Sequence, residues 1–216
     1  MKEKRFFELL GFSVMVLTIA GLTAYATPTP LNGDFSSGLD YWQVNPPDGL
    51  GGPVSVVSGY AFFEEDTYYI LSTIGQVFTI PDLALELSFD VVISSVPGGD
   101  DAPFAWPDAF TASLLDPVTF DPLISNPGVT EFYYLDNTGY EETAGTVSGS
   151  TVSLDVSSWA GYDVLLSFDL LGGLDGMQTT VGLDNVNVSV IPAPGALLLG
   201  LIGTGAVGLW RRLKRS

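Results

Sequence analysis

The loop "GGDDAPFAWPDAF" brings together residue types that could bind a ligand. Its aspartates, Asp100, Asp101 and Asp108, supply carboxylate oxygens of the kind that Ca²⁺ accepts in flexible geometry. Trp106, in the same loop, is the residue we expect to present an aromatic ring to a sugar. Aspartate after two glycines is also ordinary turn chemistry, so a loop that binds nothing remains an alternative.

A second aromatic pair lies in "EFYYLD". Tyr133 and Tyr134 are adjacent in an expected strand, and successive side chains of a strand point to opposite faces, so one of the two rings should face outward. Trp42 and Trp159 have apolar neighbours and are expected in the core.

The charge distribution limits catalysis. The chain has 25 acidic and seven basic residues, with no histidine and no cysteine, and no basic residue stands between Phe6 and Trp210. A serine nucleophile therefore lacks its usual base, and zinc sites built on imidazole or thiolate are excluded. Binding to nucleic-acid phosphates is excluded for the same reason. A pair of carboxylates acting as a glycosidase stays open, but we expect a protein without enzymatic activity.

The start of the chain has the layout of a secretory signal. Lys2, Lys4 and Arg5 precede an apolar run from Leu9 to Leu22, which is short for a membrane span. Small residues then occupy Ala24 and Ala26, as a signal peptidase requires. We expect export, with residues 1–26 removed.

The end of the chain combines a Pro-x-Pro motif, an apolar segment and a basic cluster. Pro192, Ala193 and Pro194 precede a run of 15 uncharged, mostly apolar residues from Ala196 to Trp210, and Arg211 and Arg212 come next. A basic cluster after an apolar segment is placed in the cytoplasm. We expect residues 192–216 to tether the protein to the inner membrane.

This ending resembles the PEP-CTERM sorting signal of Gram-negative bacteria, with Ala193 in place of the commonest glutamate. The resemblance implies recognition of Pro192, Ala193 and Pro194 by an exosortase-like membrane protein, with Arg211 and Arg212 as the stop-transfer charges. It also implies a destination at the cell surface or in the extracellular matrix. A plain C-terminal membrane anchor is the alternative.

The segment 27–191 has the pattern of an all-β domain. Short runs of alternating apolar and polar residues recur between turn signals such as "PPDGLGGP" and "LGGLDG", and no long helical periodicity interrupts them. We expect an antiparallel jelly-roll β-sandwich. The predicted strands cover residues 42–44, 54–57, 60–64, 74–80, 83–93, 109–116, 131–136, 150–157, 163–171 and 180–190.

Two of these strands carry the same Ser-Phe-Asp sequence at the same phase. One strand is predicted to turn Leu85, Leu87, Phe89 and Val91 to the core. The other is predicted to bury the alternate residues of its own sequence, which are Val164, Leu166, Phe168 and Leu170. Both strands should have polar outer faces.

The two ends of the domain, "LNGDFSSGLDYWQV" and "VGLDNVNVSV", resemble the paired terminal strands of galactose-binding-like and carbohydrate-binding jelly rolls. That family often holds a structural Ca²⁺ between its opening segment and a late aspartate. The resemblance implies Asp34 and Asp184 as ligands, with Asn32 in the opening turn. Ser36 stands where the family often has glutamate, which weakens the implied site because a hydroxyl is a poorer cation ligand than a carboxylate.

Together these features predict a non-catalytic exported protein of the cell surface or polysaccharide matrix. The main alternative is a module that binds a neutral glycan, with an extracellular polysaccharide as its partner. A carboxylate-pair glycosidase is a remote alternative.

Overall fold

A computed structural model describes residues 29–45, 54–65, 71–101, 106–124, 130–173 and 175–190, without the side chains of 99–101. The expected signal peptide with Ala24 and Ala26, and the sorting segment with Pro192, Ala193, Pro194, Arg211 and Arg212, lie outside the described residues. Within the described ranges, no helix is long and apolar enough to span a membrane.

The described chain folds into two antiparallel sheets packed face to face. The seven-stranded sheet has the order β1-β4-β12-β6-β8-β9, with β7 paired to β6. Its strands are β1 (Gln43–Asn45), β4 (Leu71–Thr79), β6 (Ala109–Leu115), β7 (Pro122–Ile124), β8 (Tyr133–Asp136), β9 (Glu141–Thr143) and β12 (Asp163–Leu171).

The six-stranded sheet has the order β10-β11-β5-β13-β3-β2. A short 3-10 helix, Ser157–Trp159, precedes β12. The strands of this sheet are β2 (Val54–Val57), β3 (Tyr60–Glu64), β5 (Ala84–Asp101), β10 (Thr146–Ser148), β11 (Thr151–Asp155) and β13 (Asp175–Val190). The predicted all-β, antiparallel sandwich is confirmed.

The observed strands differ from the predicted ones where the sequence has no alternation of apolar and polar residues. Three strands of three residues each, β7, β9 and β10, are too short to show alternation. Strands β5 and β13 extend beyond their predicted ends because they pair with each other, up to Asp101 opposite Asp175. Backbone pairing therefore extends them through "SSVPGGDD" and "DGMQT", which have no apolar periodicity.

Phe168 lies at the centre of the core. Its ring contacts Phe89 of the opposite sheet at 5.0 Å between centroids, and also Trp42 and Phe110. The two Ser-Phe-Asp sequences therefore meet through their phenylalanines, each from its own sheet. Aromatic pairs of this kind add about 0.5–1.5 kcal/mol beyond the burial of their area.

The predicted core residues of β12 are confirmed, since all four are at most 1% exposed. In β5, Leu87, Phe89 and Val91 are buried as predicted, but Leu85 is 45% exposed. The prediction was wrong for Leu85, while its neighbour Ala84 is buried. Trp42 is buried, and Trp159 packs against the core while partly exposed.

The start and the end of the domain meet at Gly33 and Val186. The amide of Val186 donates to the carbonyl of Gly33 at 2.9 Å. A Cβ added at Gly33 would lie 1.9 Å from the carbonyl oxygen of Val186. The opening turn therefore seats directly on β13, and only glycine permits this approach.

Replacing Gly33 with alanine should lower the free energy of unfolding by more than about 2 kcal/mol, because backbone must move to admit the methyl group. The matched control is Gly182→Ala, where the new Cβ would be 3.5 Å from the nearest atom, in the Tyr60 ring. That change should stay within about 1 kcal/mol of the parent. Urea denaturation of the full chain measures both, and equal effects would contradict the close packing at Gly33.

Candidate functional site

A continuous row of side chains crosses the outer face of the seven-stranded sheet. Pairing places Thr73 opposite Asn45, and Asp169 opposite both Thr73 and Thr111. Tyr134 is opposite Thr111, and Glu142 is opposite Tyr134. Directly opposite residues share one face of a sheet. We call this set the polar row: Asn45, Thr73, Asp169, Thr111, Tyr134 and Glu142, one residue from each of six strands.

A second, shorter row lies beside it on the same face. Ser167 of β12 is opposite Gly75 of β4 and Ser113 of β6, and Gln43 of β1 is opposite Gly75. Ser113 and Ser167 are 7% and 8% exposed, close to the values for Thr73 and Thr111 in the polar row. The centre of this face is therefore lined by small hydroxyl side chains that are largely buried, two of which, Thr73 and Ser167, donate to Asp169.

Asp169 is the charged residue at the centre of the polar row. Its Oδ1 accepts a hydrogen bond from Thr73 Oγ1 at 2.5 Å, and its Oδ2 accepts one from Ser167 Oγ at 3.2 Å. Burial raises the pKa of Asp169 to about 6, and the hydroxyls of Thr73 and Ser167 limit that rise. Asp169 is thus a partly desolvated acceptor held in one orientation.

Tyr134 supplies the aromatic surface of the row. Its ring packs edge-to-face with that of Tyr140, with centroids 5.9 Å apart. Burial raises the pKa of Tyr134 to about 12, assisted by the charge of Asp136. The phenol therefore stays protonated and can donate a hydrogen bond.

Tyr133 does not belong to the site. It points into the core, is 1% exposed, and packs against Phe89 and Phe110. Its hydroxyl donates to Glu141 Oε1 at 2.9 Å. The prediction of Tyr133 as a ligand-binding residue is therefore corrected, because the alternation of β8 turns this ring inward and Tyr134 outward.

The second Ser-Phe-Asp sequence forms a matching arrangement on the other sheet. Asp90 is opposite Thr151, whose Oγ1 donates to Asp90 Oδ1 at 2.5 Å. Asn185 Nδ2 donates to Asp90 Oδ2 at 2.7 Å. Asp90, like Asp169, is thus held by a threonine hydroxyl, but it lies on the opposite outer face.

The opening turn satisfies its own polar groups. Asp34 Oδ1 accepts from both the amide and the hydroxyl of Ser36, and these bonds lower the pKa of Asp34. The Asn32 amide group donates to the carbonyls of Gly38 and Asp40. Ser36 thus donates both of its hydrogen bonds to one oxygen of Asp34.

Asp184 lies at a β-bulge of β13, directly opposite Asp90. The amide of Asn185 donates to its Oδ1 at 2.7 Å. Across the described ranges, no group of three or more histidine, cysteine, aspartate or glutamate side chains is placed to hold a metal ion. The Ca²⁺ site at Asp34 and Asp184 stays a prediction.

Asp108 lies in the protein interior with no exposed surface, between the two sheets. Its Oδ1 accepts from the Gly173 amide at 2.6 Å, and its Oδ2 accepts from Thr179 Oγ1 and from Asn137 Nδ2. Both carboxylate oxygens are used by protein donors. The prediction of Asp108 as a calcium ligand is therefore corrected, while the side chains of Asp100 and Asp101 lie outside the described part.

Trp106 is half-buried at the same place. Its amide donates to the Gly173 carbonyl at 3.2 Å, and a Cβ added at Gly173 would lie 1.9 Å from the Trp106 carbonyl oxygen. Trp106 precedes β6 and is not a member of the polar row. The structure therefore brings Tyr134, but not Trp106, into the row.

Sequence reasoning missed most of the polar row. The alternation in "DVLLSFDLL" places Ser167 and Asp169 outward, which was the available signal. No feature of the sequence places Thr73, Thr111 and Glu142 beside them, because that depends on pairing between residues far apart in the chain.

No family model matches this chain, and no curated protein matches it. Three solved structures resemble its fold. The carbohydrate-binding module TmCBM61, solved in complex with β-1,4-galactotriose, has a TM-score of 0.43 and 13% identity over 75% of this chain and 97% of its own. A family 16 carbohydrate-binding module has a TM-score of 0.37 and 18% identity, and the match covers 75% of this chain and 98% of the module. A sialidase has a TM-score of 0.43 and 13% identity, and the match covers 76% of this chain but only 19% of the sialidase.

All three TM-scores lie below 0.5, so these likenesses carry no argument about a site. The ligands and activities of those proteins are therefore not assigned to this chain.

Asp184→Asn should stabilise the full chain in EDTA by a few tenths to about 1 kcal/mol, because two like charges face each other at Asp90 and Asp184. Asparagine keeps an oxygen for the Asn185 amide. Glu64→Gln is the matched control, since Glu64 lies on the same face opposite the neutral Thr180. Urea denaturation measures both variants, and equal changes would contradict the pairwise repulsion.

The same variant tests the predicted calcium site. That site requires a rise in the melting temperature of the parent chain with CaCl₂, beyond NaCl of matched ionic strength, and loss of the rise in Asp184→Asn.

Proposed function

We propose that the outer face of the seven-stranded sheet binds a neutral carbohydrate chain. The observation that supports this is the polar row, in which six neighbouring strands each contribute one residue to a single line of side chains. A sugar presents hydroxyl groups along its length and an apolar ring face. The row offers donors, acceptors and the Tyr134 ring in the order needed to meet both.

The central residues are prepared for binding. Thr73 and Ser167 already hold the Asp169 carboxylate, so little side-chain entropy would be lost when a sugar hydroxyl donates to it. The hydrogen bond would be charge-assisted and formed in a partly desolvated setting, which makes it stronger than a neutral one. Asp169 is therefore the residue expected to contribute most.

The ligand should be uncharged. The row contains two carboxylates, Asp169 and Glu142, and no basic residue exists between Phe6 and Trp210. An acidic polysaccharide would be repelled with no compensating ion pair. A neutral glycan avoids that cost.

The ligand should also be extended. Neighbouring strands lie about 4.8 Å apart, so a row across six strands is about 24 Å long. A linear chain of several sugar rings lying across the strands fits this length better than a single monosaccharide.

Asp169→Asn should weaken binding about tenfold or more, because it replaces a charged acceptor with a neutral one. Tyr134→Ala should weaken it through loss of the ring. Affinity electrophoresis of the full chain in gels containing cellulose derivatives, xylan, mannan or galactan measures retention, with polygalacturonate as the acidic comparison. Binding of the parent should also fall as pH drops below about 6, because Asp169 then becomes protonated.

Asp90→Asn is the matched control, since Asp90 also accepts a hydrogen bond from a threonine, Thr151, but lies on the opposite face. Retention that falls equally in Asp90→Asn and Asp169→Asn would contradict the assignment of the site. So would the absence of retention on every neutral glycan.

We infer from the terminal segments that this module works outside the cell as a non-catalytic surface or matrix protein. The support is the sequence pattern of a signal peptide at the start and of an exosortase signal at the end. Intact-mass analysis in a Gram-negative host should find a mature chain beginning at Thr27. Shortening at the C-terminus should require a co-expressed exosortase and be blocked by Pro192→Ala with Pro194→Ala. A full-length chain in every case would contradict this inference.

A further inference from the structure

A cluster of polar side chains joins the two sheets at one end of the sandwich. Asp108 precedes β6 of the seven-stranded sheet, and Asn137 follows β8 of the same sheet. Glu65, Asp175 and Thr179 belong to the β3 end and to β13 of the six-stranded sheet. We call these five residues the inter-sheet clasp.

Hydrogen bonds run through the clasp without a break. Asn137 Nδ2 donates to Asp175 Oδ2 at 2.7 Å and to Asp108 Oδ2 at 3.1 Å. Thr179 Oγ1 donates to Asp108, and the Thr179 amide donates to Glu65 Oε2 at 3.2 Å. Each bond between Asp108 or Asn137 and the other three residues crosses from one sheet to the other.

Three carboxyl groups meet in this cluster. The charged groups that face Glu65 from the described elements are Asp108 and Asp175, both acidic. The sequence has no basic residue between Phe6 and Trp210 that could neutralise these carboxylates. The side chains of Asp66, Asp100 and Asp101 are outside the described part, and they too are acidic.

Glu65 is the member that relieves this repulsion by taking a proton. Its side chain is half-buried over Gly172, where a Cβ would lie 3.0 Å from Glu65 Cγ. Burial, together with the charge of Asp108 and to a smaller extent that of Asp175, raises the pKa of Glu65 to about 7. The hydrogen bond that the Thr179 amide donates to Glu65 acts in the opposite direction and limits this rise.

We propose that the clasp is a pH-sensitive latch: while Glu65 is protonated, the bonds from Thr179 to Asp108 and Glu65 hold, and ionisation of Glu65 places a negative charge beside Asp108 and Asp175 that loosens this end of the sandwich. The latch stands apart from the polar row, so it does not depend on the proposed function. Loosening frees the segment 106–108, which carries Trp106, from its bonds to Gly173.

The direction of the pH effect follows from the two protonation states. The pKa of Glu65 is raised in the folded chain above its ordinary value of 4.5. The folded state therefore binds more protons than the unfolded state between pH 4.5 and about 7. Stability of the clasp is greatest at the low end of this window, falls as pH rises through it, and levels off above about 7.

Hydrogen–deuterium exchange of the full chain at several pH values, corrected for intrinsic exchange rates, tests the proposal. Protection in peptides covering residues 106–110 and 172–180 should fall roughly tenfold between pH 5 and pH 8. Glu65→Gln, which keeps the oxygen for Thr179, should show high and pH-independent protection there. The exposed neighbour Glu64→Gln should behave like the parent.

A second readout follows Trp106 directly. The difference in fluorescence between the parent and Trp106→Phe should shift to longer wavelength as pH rises, and Glu65→Gln should abolish the shift. Unchanged protection of the parent across this pH range would overturn the proposal even if the variants fail to fold. Equal pH dependence in the parent and in Glu65→Gln would overturn it as well.

Discussion

Carboxylates that bond only to neutral donors are the constraint on which this structure depends. The chain has no basic residue from Phe6 to Trp210, so no side-chain ion pair can form in the domain. Threonine hydroxyls hold Asp169 on one outer face and Asp90 on the other. The buried Asp136 follows the same rule, since Thr138 and the Tyr140 amide donate to its Oδ1. Hydrogen bonds to a charged acceptor contribute about 1.5–3 kcal/mol each, enough to retain acids in partly buried positions.

This constraint gives the acids two different settings. Asp169 lies in a row of hydroxyl and amide side chains on an outer face, where an incoming hydroxyl group can become a further donor. Asp108 lies between the sheets, where protein donors occupy both of its oxygens. The first setting suits ligand binding, whereas the second holds the sandwich together and makes one end of it sensitive to protonation at Glu65.

The alternation of apolar residues was enough to predict the sandwich. It gave the inward residues of β12, the place of most strands, and the rule that Tyr133 and Tyr134 face opposite sides. It could not give the register between strands. Thr73 and Asp169 are 96 residues apart, and nothing near either one indicates that they are opposite each other.

The composition of the loop also gave a wrong prediction for Asp108, whose side chain is buried. Asp108 was grouped with Asp100 and Asp101 because they share one loop in the sequence, yet the fold turns it inward to meet Gly173 and Thr179. Trp106 of the same loop is partly exposed, and its role in ligand binding stays a prediction. Loop composition reports polarity, and it does not report which side chain the neighbouring strands enclose.

Carboxyl footprinting with a carbodiimide, read by mass spectrometry, shows whether a neutral glycan covers the polar row. The full chain is labelled with and without a mixture of cello-, xylo-, manno- and galacto-oligosaccharides. Labelling of Asp169 and Glu142 should decrease in the presence of the sugars, while labelling of Glu86 and Asp184 on the opposite face should be unchanged. Protection on the six-stranded sheet instead, or no protection on either face, would contradict binding at the polar row.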